Sequence, residues 1–207
     1  MGDALTDLWT ELARELGLDQ EGARALGSLI SALRRGPLSY EEALEATGLG
    51  DEGDDVILLA VELGLAVPTR PDARCLEWDA APLGQDTLLS LNPAVKSILE
   101  ALERGESPLS GLRRLFLELG LEEDEAEAIA RVSLELSARP FVSGSDVASA
   151  CRSHGLSGLE SFAVAILKAA GIISPVLSSS WPSGDVRYRT CRALWLLTGQ
   201  EGRVIKA

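Results

Sequence analysis

The chain has 207 residues, a formal net charge of −13 and a hydrophobic fraction of 46% with aromatics at only 4%. That is room for one large domain or two of about 100 residues, each with a core of Leu, Ala, Val and Ile. No apolar run approaches the roughly 20 residues that cross a bilayer. Asp3 and Asp7 at the start lack the basic stretch of a signal peptide, and three cysteines without a C-x-x-C pair suggest a reducing, cytoplasmic compartment.

The first recognisable helix ends at Gly17, and a second carries Ala23, Leu26, Ile30 and Leu33 as one apolar stripe that stops before Pro37. Ser39 with Glu42 forms an S-x-x-E capping box for a short helix ending near Gly48. A third helix runs from about Asp54 to Gly64. Leu65-Ala66-Val67 and Cys75-Leu76-Glu77-Trp78 then flank a Pro-rich turn and predict a β-hairpin. Asn92 as N-cap and Pro93 at the first helical position open a linking helix to Arg104, closed by Gly105.

The same order then recurs. Gly17 and Pro37 are answered by Gly120 and Pro140, 103 residues on. Gly48, Gly64 and Pro68 are answered by Gly155, Gly171 and Pro175, 107 residues on. Cys75 is matched with Cys191 through a longer second wing, in which Val186 to Trp195 is expected to be strand. Marks in this order argue for an internal duplication.

Helix, helix, turn, helix, hairpin resembles the winged helix, so the chain resembles tandem winged-helix proteins. The resemblance implies a mainly α fold with small β-hairpin wings (α+β). It divides the chain into an acidic winged-helix-like domain over residues 1–90, a linking helix over 91–106 and a second winged-helix-like domain with a longer wing over 107–207. That superfamily holds DNA-binding regulators, and also acidic tandem forms that serve as protein-interaction subunits of transcription, chromosome-segregation or sorting complexes.

Charge separates these uses, because DNA affinity rests on phosphate neutralisation. Residues 1–103 hold 20 acids and 7 bases, whereas residues 104–207 hold 12 of each. The third helix of the first copy opens with Asp51, Glu52, Asp54 and Asp55 and continues as an apolar run. Neither third helix offers the polar face that reads base edges. Ile57, Leu58 and Val61 are left for another surface, which is either the rest of the chain or a partner. Trp181, in the Ser/Pro/Gly-rich second wing, is a candidate interface anchor or folds back onto its own hairpin.

The expectation is therefore a non-enzymatic protein that meets a protein partner or itself as a homodimer, with no cofactor and no membrane. The alternative is a DNA-binding regulator using a basic surface of Arg152, Lys168, Arg187, Arg189 and Arg192. Gly48-Leu49-Gly50-Asp51-Glu52-Gly53 imitates a phosphate loop, but its acids oppose phosphate and a helix precedes it. The acidic run at Glu122–Glu125 suits a helix N-terminus, and His154 suits a helix end. One histidine leaves most zinc and His-based catalytic sites without their residues.

Overall fold

The computed structural model describes residues 16–69, 83–84, 86–176 and 185–199. Helix α1 (Gln20–Leu33) starts where the Asp19 carboxylate accepts the Gly22 amide at 2.8 Å, and it buries Ala25, Leu26, Leu29, Ile30 and Leu33 along one face. After β1 (Leu38–Ser39), Ser39 and Glu42 cap α2 (Tyr40–Thr47) reciprocally, and Gly48 at φ +73° ends it. A short 3-10 turn at Gly50–Glu52 leads into α3 (Gly53–Glu62). Strands β2 (Ala66–Thr69) and β3 (Leu88–Leu91) follow, then α4 (Pro93–Glu103), whose N-cap is Asn92.

The second half begins with α5 (Pro108–Glu118), which packs between α4 and α6 (Glu123–Ser137). It continues through β4 (Phe141–Ser143), α7 (Gly144–Ser153), α8 (Glu160–Ala169), β5 (Ile173–Pro175), β6 (Arg187–Thr190) and α9 (Arg192–Thr198). The described part of the protein is thus mainly helical with two three-stranded antiparallel sheets, an α+β architecture. The sheets share one strand order, β1-β3-β2 and β4-β6-β5. Their registers also agree. Ala66 faces Leu91 and Pro68 faces Leu89, while Ile173 faces Thr190 and Pro175 faces Tyr188. From α1 to α4 and from α6 to α9, each half runs helix, strand, helix, helix, strand, strand, helix.

Three expectations need correction. Cys75 to Trp78 lie outside the described residues, and the strand that pairs with β2 is Leu88–Leu91. Leu89 and Leu91, two apart, both enter the core, and the strand runs directly into the Asn92 cap. The chain after Thr190 is helix, because Ala193, Leu194 and Leu197 share one buried helical face that strand spacing would split. Strands β1 and β4, two and three residues long, have no counterpart in the expected hairpins. By register, then, Cys191 corresponds to Asn92.

One hydrophobic cluster runs through both halves, from Ala25 to Leu197, with Phe116 its largest fully buried side chain. The linking helix α4 belongs to it: Ala94, Val95, Ile98, Leu99 and Ala101 are all wholly buried.

Candidate functional site

Helices α3 and α8 occupy matching places in the two halves but present opposite chemistry. On α3, Val56, Ile57 and Ala60 turn inward and Val61 is half-buried. Outward lie Asp54, Asp55 and Glu62 around Leu58, which is 51% exposed. Ile57, a candidate partner-interface residue, takes the other expected course and is fully buried within the chain. The helix is not apolar all round in space, since the run of hydrophobic residues wraps the core on one side and leaves only Leu58 wholly outside. Tyr40 donates to Asp54 at 2.7 Å, and burial followed by this bond pushes the phenol up to about 12.

On α8 the outward positions are Phe162, 42% exposed, with Ala165 and Ala169, and Ile166 is half-buried beside them. Leu159, 39% exposed, continues this apolar strip before the first turn. Ser161 is exposed and Lys168 is half-buried at its edge, while Arg152 is exposed on the neighbouring α7. The Arg152 guanidinium contributes to holding the Glu160 carboxyl below its usual range, after the backbone bonds that Glu160 makes at the start of the helix.

The second sheet gathers the remaining candidate bases. Arg187 and Arg189 point to the same side of β6, and their guanidinium groups lie 4.1 Å and 5.4 Å from the centre of the Phe141 ring. Arg189 also approaches Glu62 of α3 at 3.8 Å. Arg192 donates to the Ala138 carbonyl at 2.7 Å and stacks over Trp195 at 4.9 Å. Of the five candidate bases, Arg187 and Arg189 share the sheet, Arg192 is tied to the end of α6, Arg152 lies on α7, and Lys168 lies on α8 near enough to act on the Tyr188 phenol of β6. Trp181 lies outside the described residues.

Between the halves is a buried junction that sequence reasoning missed. The Asn92 side chain accepts the Ala94 amide at 2.9 Å and donates to the Gly171 carbonyl at 2.8 Å. In the matching position of the other half, the Cys191 thiol donates to the Gly64 carbonyl at 3.2 Å. The two side chains also meet, with Asn92 Nδ2 3.6 Å from Cys191 Sγ. Each half thus sends its residue after the last strand to the glycine that ends the third helix of the other half. Gly64 and Gly171 have φ values of +73° and +71°, and a Cβ there would sit about 3.0 Å from Cys191 Sγ and about 2.9 Å from the Asn92 amide. Burial pushes the Cys191 thiol up to about 12. The matched glycines were the available signal. Their reason was hidden because Asn92 already had a local explanation as a cap.

Other motifs have local structural roles. Gly48 and Gly50, at φ +73° and +59°, turn α2 into α3, and buried Gly53 packs against Thr47. Glu122 and Glu125 form a capping box at the head of α6. His154 caps α7 and lies 2.9 Å from Glu135. Among the described residues no group of three or more His, Cys, Asp and Glu side chains is placed to hold a metal ion, and no helix is long and apolar enough to cross a membrane.

The fold thus defines an α+β protein with two similarly built halves and contrasting exposed helix faces. A protein-family model matches residues 10–188, and the chain belongs to that family. No curated protein and no solved structure matches it.

Proposed function

We propose that this is a non-catalytic, duplicated tandem winged-helix protein that works through protein–protein contacts in a transcription- or chromosome-related assembly. Three features support the duplication: the shared element order, the matching sheet registers and the reciprocal Asn92 and Cys191 contacts. The cellular setting rests on analogy with acidic tandem winged-helix proteins. In this reading residues 1–90 and 107–207 are the two domains, and the helix over 91–106 links them.

The observation that carries the functional reading is the outward chemistry of the third helices. A groove-reading helix must offer donors and acceptors to base edges and tolerate phosphates on its flanks. Helix α3 offers Asp54, Asp55, Leu58 and Glu62, and α8 offers Phe162, Ala165 and Ala169. The first repels phosphate, and the second offers only Ser161 and the half-buried Lys168 at its edge with which to read a base. Both suit protein surfaces.

Fluorescence anisotropy with duplex DNA tests this at about 50 mM and about 200 mM salt. The expected result is weak binding that disappears at the higher salt. Tight, sequence-selective binding at the higher salt, lost in Lys168→Ala or Ser161→Ala, would overturn it. The paired Arg187 and Arg189 on Phe141 favour a second reading, in which the wing grips the DNA backbone. There, Arg187→Ala with Arg189→Ala would weaken binding equally for all sequences and flatten its salt dependence.

A further inference from the structure

We propose that the occupant of the exposed α8 face is the α3 face of a second copy of this chain. The inference rests on the protein-contact reading above and names the partner. Each face is an exposed helix surface around one large apolar side chain, Phe162 on α8 and Leu58 on α3, with Glu62 at the rim of α3 already approached by Arg189 and Asp54 accepting from Tyr40. Both are open in the single chain, so they do not cover each other within it.

Charge selects the pairing. Setting α3 against α3 would bring Asp54, Asp55 and Glu62 of two copies together, a like-charge contact that opposes association. Setting α8 against α8 would bury apolar surface but bring Lys168 of both copies toward one another, while each Arg152 stays beside Glu160 of its own chain. Setting α8 against α3 places Phe162 beside Leu58 and brings Lys168 near the Asp54 and Asp55 carboxylates. The long-range field opposes the α3–α3 encounter most strongly. All of the net −13 lies in residues 1–103, whereas residues 104–207 sum to zero. One helix face is small beside the roughly 800 Å² per partner of a standard interface, so the complex is weak and concentration-dependent.

A complementation experiment on the full chain tests the pairing. Sedimentation velocity across a concentration series should show wild type in reversible association that weakens with salt. Phe162→Asp disables α8 and Leu58→Asp disables α3. Each variant alone should associate at least about tenfold more weakly than wild type, equivalent to about 1.4 kcal/mol. Mixed together they should recover a complex of one copy of each, because one retains an intact α3 and the other an intact α8. Both positions are exposed, and far-UV circular dichroism checks that the variants remain folded. Wild type that stays monomeric at every concentration overturns the proposal and leaves the DNA titration free to support the broader reading. Undiminished self-association of Leu58→Asp also overturns it, since that would be α8 meeting α8. A mixture that fails to form the joint complex overturns it as well.

Discussion

Asn92 performs two tasks that normally fall to different residues: it caps its own helix and it bonds a carbonyl of the opposite half. Losing a cap costs about 0.5–2 kcal/mol, and leaving a buried partner unsatisfied costs about 1–3 kcal/mol. Asn92→Ala should therefore lower stability by about 2–4 kcal/mol in urea unfolding, while Asn92→Asp should restore the cap and still fail to donate to Gly171. Cys191 gives a pH readout of the same junction. Its folded thiol titrates near 12, whereas an unfolded cysteine titrates near about 8.5. The stabilising contribution of the neutral thiol is complete below the unfolded value. Stability should fall through that window as unfolding releases the thiol proton, and Cys191→Ala should lose this part of the alkaline slope.

At the scale of elements, local chemistry explains most boundaries. Ser39 with Glu42 and Ser143 with Asp146 close reciprocal caps. Hydrogen bonds from the Ser143 backbone and side chain, followed by Arg139, hold the Asp146 carboxyl below its usual range. Stability from this carboxylate is present above about pH 3.9 and is lost as pH falls through the lower folded value. Ser143→Ala should cost about 1 kcal/mol and reduce the acid limb of stability, as measured by chemical unfolding at several pH values. The same locality explains what was legible. Caps and helix-ending glycines announce themselves within four residues, so α1, α2, α4, α6 and α7 could be placed from sequence. Strand β3 could not, because Leu88–Leu91 becomes a strand by lying between β1 and β2. The exposed face of α3 was partly readable from Asp54 and Asp55, but only tertiary packing separates buried Ile57 from its exposed neighbour Leu58.

The described residues of both halves share one core, and Asn92 and Cys191 at the junction between them are fully buried. Urea unfolding followed by circular dichroism and by Trp fluorescence should therefore give one coincident transition. Two separated transitions would mean that the halves hold their folds independently. The candidate surfaces needed this scale to be recognised. In sequence, the third helices look alike as apolar runs, and their contrast emerges only when each has turned its core-facing residues away.

The order in which the chain is made gives the Gly64 to Cys191 contact a further consequence. Gly64 and Cys191 are separated by 127 residues. At about 5–20 residues per second, a ribosome delivers the second on the order of ten seconds after the first. Throughout that interval the carbonyls at the end of α3 await donors that do not yet exist. On a crowded message, the nearest finished copy of the missing surface belongs to the chain ahead. Exchange of halves between neighbouring chains is then a competing outcome of biosynthesis, with 104–107 as the segment that would have to open. Refolding should show the same competition: at high protein concentration an exchanged dimer should appear, persist on dilution and disappear only after complete unfolding and dilute refolding.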